Sequence, residues 1–229
     1  MKLYGLQKLT LLDYPGHTAC TVFTGGCNFR CPFCHNAGLV TRIDPTATME
    51  EEAFFAFLEK RRGILDGVCI TGGEPLMQPD IRPFIEKIKN LGFGVKLDTN
   101  GSFPDKLEEL IDGGLIDYVA MDVKNAIDKY SETAGVAVDT DAIEKSLDLL
   151  LEGRVDYEFR TTVVKELHTE EDIEKIASRI RGAKRFFLQN FVNSENLIGT
   201  GLSAHTPESM ERMRLLATSY IQNVALRGI

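Results

Sequence analysis

Apolar, β-prone runs recur along this chain at Ala19–Thr24, Val68–Thr71, Gly94–Asp98, Tyr118–Val123, Tyr157–Val164 and Arg185–Asn190, with a final short run at Asn223–Leu226. Between them lie segments whose apolar residues recur with helical spacing. Thr48-Met49-Glu50-Glu51 reads as a capping box that opens one helix, with Ala53, Phe54, Phe57 and Leu58 on a single face. Pro79–Leu91 presents Phe84, Ile85, Ile88 and Leu91, and Gly92 stops it. Further helices are expected over Pro104–Ile111, Asp141–Leu151, Thr169–Ile180 and Pro207–Tyr220. Strand then helix, about six times over, predicts a parallel sheet with covering helices. Six such units fall short of the roughly eight of a closed barrel. The expected fold class is therefore α/β, a partial (β/α)6 TIM-like barrel of parallel strands, with an open doubly wound sheet as the alternative. A chain of 229 residues without a low-complexity linker or solenoid repeat is expected to form one domain over 1–229.

Both folds place chemistry at the C-terminal ends of the strands. The first strand runs into Gly26-Cys27-Asn28-Phe29-Arg30-Cys31-Pro32-Phe33-Cys34-His35-Asn36, which spaces three cysteines as C-x3-C-x2-C. Three thiolates this close can hold one metal centre, yet iron–sulfur cubanes normally take four. A cubane held by three leaves one iron open to a reacting ligand. Structural zinc is the rival, but it favours Cys-x2-Cys pairs from two segments, and no second pair follows here. Cys20 and Cys69 lie inside apolar runs and read as small core residues. An odd total of five cysteines, and the lack of an unbroken apolar stretch between Lys2 and Asp13, point to a reducing, cytoplasmic setting.

A net charge of −8 argues against a general nucleic-acid surface. Lys60-Arg61-Arg62 is the best basic cluster, and it suits a helix C-terminus. No apolar stretch approaches the ~20 residues of a membrane helix.

The other strand ends are polar as well. The second ends in Thr71-Gly72-Gly73-Glu74-Pro75, where two glycines would let the backbone approach a ligand and set Glu74 at the mouth. The third ends in Asp98-Thr99-Asn100-Gly101, which alone would be an Asx-type turn. The fourth ends in Asp122-Val123-Lys124, where alternation puts Asp122 and Lys124 on one face. The fifth carries Arg160 inward, with Glu158 and Thr162. Each alone has a structural explanation, such as an ion pair. Together they suggest a ligand with both an amine and a carboxylate: Glu74 would accept from an ammonium, and Lys124 or Arg160 would pair with a carboxylate.

These residues resemble the radical S-adenosylmethionine (SAM) superfamily, whose signature matches the cysteine loop with Phe33 as its aromatic and Thr71-Gly72-Gly73-Glu74 as the SAM amino-group motif. Leu12-Asp13-Tyr14-Pro15-Gly16, Phe23-Thr24-Gly25-Gly26-Cys27, Cys34-His35-Asn36, Asp98-Thr99-Asn100-Gly101 and Asp122-Val123-Lys124 look like the glycyl-radical-enzyme activating enzymes. Within these, the resemblance is to the activating proteins of anaerobic (class III) ribonucleoside-triphosphate reductase. It runs to the closing Val224-Ala225-Leu226-Arg227-Gly228.

The resemblance implies that Cys27, Cys31 and Cys34 hold a [4Fe–4S] cluster whose fourth iron is chelated by SAM. Glu74 would contact the SAM amino group, and Lys124 and Arg160 its carboxylate and ribose. Asp98, Thr99 and Asp122, with the Ala120 carbonyl, resemble a monovalent-cation site of a relative that activates pyruvate formate-lyase. Asp13 resembles an acid near the target peptide. That relative has a histidine after its sixth strand where this chain reads Leu188-Gln189-Asn190-Phe191, leaving Gln189 as a candidate. The implied reaction cleaves SAM to methionine and a 5′-deoxyadenosyl radical, which takes a hydrogen from a glycine of the reductase large subunit. A low-potential donor, flavodoxin or ferredoxin, would supply the electron. No side chain is expected to act as a general acid or base. Asn193–Ser203 would border a peptide groove, or be an ordinary surface loop. A radical SAM enzyme acting on a small molecule, such as one forming the 7-deazaguanine ring, is the first rival. A zinc-binding interaction module is the second.

Overall fold

Each apolar run becomes a strand in the computed structural model, which describes residues 1–44, 46–194 and 196–229. In chain order the elements are β1 (Leu3–Thr10), β2 (Ala19–Thr24), α1 (Ala37–Val40), α2 (Glu51–Glu59), β3 (Gly67–Gly72), α3 (Ile81–Asn90), β4 (Gly94–Thr99) and α4 (Pro104–Asp112). They continue as β5 (Tyr118–Asp122), α5 (Tyr130–Ala134), α6 (Thr140–Leu151), β6 (Asp156–Val163), α7 (Glu170–Arg179), β7 (Phe186–Asn190), α8 (Pro207–Thr218) and β8 (Val224–Arg227). One eight-stranded sheet has the spatial order β1-β2-β3-β4-β5-β6-β7-β8. From β2 to β8 every neighbouring pair is parallel, with helices crossing back between strands, so this is the α/β partial TIM-like barrel expected.

Two features depart from the expectation. The parallel set runs one strand beyond six, through β8. It is also preceded by β1, which pairs antiparallel to β2 and had no strand signature. β1 is an edge strand in which only Leu3 and Thr10 are buried, so the usual alternation of apolar and polar residues is missing. The interior strands read as near-continuous apolar runs because both faces are covered; Tyr118 to Met121 of β5 are all buried.

The capping box expected at Thr48 does not form. Met49 N–H bonds to the Leu3 carbonyl at 2.8 Å, holding this stretch in a bridge to β1. The helix therefore begins later, with Glu50 at its N-cap and no side-chain cap. A capping box does form at α7, where the Thr169 hydroxyl and the Asp172 carboxylate satisfy each other's backbone N–H. Phe54 and Phe84 stack at 5.4 Å and seat α2 and α3 in the core. Among the described residues no helix is long and apolar enough to cross a membrane.

Candidate active site at the strand C-termini

The cysteine loop leaves β2 and is held by backbone bonds from four directions. Glu74 N–H donates to the Gly26 carbonyl at 2.7 Å, and Gly26 N–H donates to Leu39 at 2.8 Å. Arg30 N–H reaches Ala134 at 2.8 Å, and Gly199 N–H reaches Pro32 at 2.8 Å. The Asn36 side chain adds a bond to the Gly72 carbonyl at 3.0 Å. Phe33 is buried edge-on against His168, with centroids 6.4 Å apart. The expected loop 193–203 thus lies against the cysteine loop through Gly199; Glu195 within it is outside the described residues.

Gly72, the last residue of β3, and Gly73 have a further reason to lack side chains. A Cβ on Gly73 would overlap the Gly26 carbonyl, and one on Gly72 the Thr24 backbone. Gly72 also has φ +123°, which disfavours any side chain. This close approach is to the backbone of β2 and of the cysteine loop.

One cavity of about 290 Å3 is lined by Cys27, Cys31 and Cys34, by Phe33, Gly72, Gly73 and Glu74, and by Asp98, Thr99, Asp122, Lys124, Arg160 and Gln189. The structure thus gathers nearly all the expected residues. Two stay apart. Ala120 is fully buried in β5, in register with Asp98, and does not line the cavity. Asp13 accepts a hydrogen bond from the Thr21 hydroxyl and is also outside the lining. Glu158, expected inward with Arg160, is buried but lies outside the lining, accepting from the Tyr118 hydroxyl at 2.9 Å and pairing with Arg227 at 3.1 Å.

Glu74 is only 1% exposed, and both its oxygens are used. Oε1 accepts from Leu76 N–H at 3.1 Å and the Thr99 hydroxyl at 2.8 Å, and Oε2 from Asn100 N–H at 2.7 Å. The side chain ties the end of β3 to the end of β4. Burial pushes its carboxyl up to about 7 against the pull of these bonds.

Beside it lies a charge network. Arg160 Nε donates to Asp122 at 2.8 Å and its Nη1 to Asp98 at 3.3 Å. Lys124 Nζ donates to the other Asp122 oxygen at 3.1 Å. Burial alone would raise the Asp122 carboxyl, but Arg160 and Lys124 hold it down at about 2. Burial would likewise discharge Lys124; Asp122 overrides this and keeps its ammonium well above the usual range. Sequence reasoning missed Lys96, whose Nζ bonds Asp98 from inside the barrel. Alternation along Lys96-Leu97-Asp98 was the available signal.

Three cysteine thiols lining one cavity are, in number and chemistry, the donor set of an open iron–sulfur centre, although among the described residues no group of side chains is gathered closely enough to hold a single metal ion. Phe29 N–H donates to Cys27 Sγ at 3.3 Å. His35 also lines the cavity, its ring 5.9 Å from Phe191 and its Nδ1 3.4 Å from the Ser194 hydroxyl. Burial pushes the Cys31 thiol up to about 11, so metal binding there must displace a proton.

A parallel partial barrel that collects three thiols and a paired charge network at its carboxyl end defines a class of enzyme whose chemistry is carried by a bound cofactor. A model of the radical SAM superfamily matches residues 21–180. A Methanocaldococcus jannaschii protein, named provisionally as a glycyl-radical enzyme activating enzyme, is 36% identical over 235 residues, spanning 98% of this chain and 95% of its own length. A domain of pyruvate-formate lyase-activating enzyme from Bacteroides vulgatus superposes with a TM-score of 0.59 at 17% identity, over 71% of this chain and 99% of that one. Streptococcus suis SuiB bound to S-adenosylmethionine superposes with a TM-score of 0.70 at 18% identity, over 90% of this chain and 51% of that one. These two structural likenesses bear on the fold alone. The chain belongs to the radical SAM superfamily. It is an enzyme of that class, and the class implies SAM and a [4Fe–4S] cluster.

Proposed function

We propose that this chain, read as one domain over all 229 residues, is a radical SAM activase. It cleaves SAM reductively and takes a hydrogen atom from a glycine of a partner enzyme, the large subunit of anaerobic ribonucleoside-triphosphate reductase, leaving a glycyl radical there. The observation that carries the reading is the convergence, on one cavity, of three thiols with the cations Lys124 and Arg160.

Cys27, Cys31 and Cys34 would hold the [4Fe–4S] cluster, which supplies, when bound, one-electron cleavage of SAM at its open iron. The chain's own residues bind and orient. Lys124 and Arg160 offer positive charge to the SAM carboxylate, and Asp122 fixes both in place. Phe33 and Phe29 form an apolar part of the cavity wall, which keeps water from a reactive centre. Glu74 sets the β3 and β4 ends so that the backbone near Gly73 meets the amino group. The choice of reductase rests on the motifs from Asp13–Gly16 to Asp122–Lys124. Five free thiols fit a reducing cytoplasm, where flavodoxin or ferredoxin would deliver the electron.

The test is anaerobic reconstitution with iron, sulfide, SAM and the reductase, followed by electron paramagnetic resonance. A glycyl radical on the reductase is expected. SAM cleavage with consumption of a small molecule and no protein radical would move the chain to the first rival. Cys31→Ala should lose the cluster; a variant that still binds about four irons would refute the ligand assignment.

A further inference from the structure

The resemblance implied a monovalent metal ion at Asp98, Thr99, Ala120 and Asp122. These residues do not fit one. Asp98 Oδ1 is bonded by Lys96 Nζ, and its Oδ2 by Arg160 at 3.3 Å. Asp122 Oδ1 is bonded by Arg160 at 2.8 Å and its Oδ2 by Lys124 at 3.1 Å. Every carboxylate oxygen of the pair is already met by a cation of the chain. The Thr99 hydroxyl is also committed, donating to Glu74 at 2.8 Å and accepting from Gly101 N–H at 3.1 Å.

The charge balance points the same way. Three cations, Lys96, Lys124 and Arg160, face two carboxylates, Asp98 and Asp122. Counting these ion-paired groups alone, the network carries one positive charge before any ion arrives. A metal ion would add a second at short range, where repulsion inside the protein is strong. A ligand carboxylate would instead neutralise it. Lys96 is only 1% exposed and enters from the barrel interior, with Cys69 Sγ at 3.7 Å as its other polar neighbour.

We propose that Lys96 is a tethered cation, doing at Asp98 what a bound alkali-metal ion would do, so that this chain binds SAM without any monovalent metal. It is a positioning residue: it holds Asp98, and through Asp98 it holds Arg160 toward the ligand. The inference rests on the reading that this cavity takes SAM.

The experiment is anaerobic SAM binding to the reconstituted protein in potassium, sodium or choline chloride at equal ionic strength. The dissociation constant of the natural chain should agree within about twofold across the three salts. Lys96→Met should bind about tenfold or more weakly in choline and recover in potassium or sodium. Lys96→Arg, which keeps the charge, should stay independent of the salt. Circular dichroism reports folding, and Lys96→Gln replaces the methionine variant if that one unfolds. A natural chain whose affinity improves about tenfold from choline to potassium overturns the proposal without any variant. So does a folded Lys96→Met chain that binds SAM normally in every salt. Failure of SAM to bind in all salts would instead sink the functional reading.

Discussion

Replacing Glu74 by alanine removes the acceptor of three donors at once. The Leu76 and Asn100 N–H groups belong to the backbone and cannot turn away; the Thr99 hydroxyl can rotate. Two orphaned buried N–H groups cost about 1–3 kcal/mol each, so the loss is about 2–6 kcal/mol. That is a large part of the about 5–15 kcal/mol that holds a typical domain together. The penalty also depends on pH, because burial raises the Glu74 carboxyl to about 7. A raised carboxyl contributes stability that is full below its unfolded value and is lost as pH rises through about 7. Alanine has no such group. The cost of the substitution should therefore be larger at pH 6 than at pH 9, by about 1.4 kcal/mol. Urea unfolding of the cluster-free chain, followed by circular dichroism at both pH values under anaerobic conditions, measures this. Glu74→Gln keeps an acceptor for two donors, and its SAM affinity after reconstitution should stay within a few-fold. Equal stability of the alanine variant and the natural chain at pH 6 would refute the clamp. A stable glutamine variant that loses SAM affinity by roughly tenfold or more would show Glu74 to be a direct ligand of the ammonium instead.

Gly73→Ala should cost more than the ~1–3 kcal/mol of ordinary overpacking, because the new Cβ meets the fixed Gly26 carbonyl. Iron content after reconstitution should fall with it, and full iron loading would contradict the stapling role. Arg160→Met leaves Asp98 and Asp122 each short of a partner and should destabilise by about 3–5 kcal/mol, read by thermal unfolding. Its destabilisation should ease as pH falls, since the carboxyl that Arg160 and Lys124 hold at about 2 would then protonate more readily.

The site was legible where its signals are local. The cysteines share one loop, and Asp122 with Lys124 and Asp98 with Thr99 sit in short runs at strand ends. Strand order then brings those ends together without further information. What could not be seen depends on contacts between distant segments. Thr48 has the letters of a cap, but its neighbour is drawn into a bridge with Leu3. Gly72 and Gly73 look like a ligand-binding turn, and only the neighbouring strand reveals what they must avoid. The tie that Glu74 makes to the end of β4 was hidden because its partners, Thr99 and Asn100, come from a distant segment. β1 was hidden for a different reason: an edge strand buries too few side chains to show alternation. Lys96 was within reach, since period-two spacing places it on the face of Asp98.

The bonds that hold the cysteine loop have a consequence for how the protein matures. Gly26 and Asn36 meet partners nearby in the chain, at Leu39, Gly72 and Glu74. Pro32 and Arg30 meet theirs much later, at Gly199 and Ala134. Because each strand pairs with the one before it, the barrel can assemble progressively as the chain is made. The loop is then outlined early, and its last backbone tie forms only when the final third of the chain is in place. Until that happens the three thiols stand on a partly tethered loop.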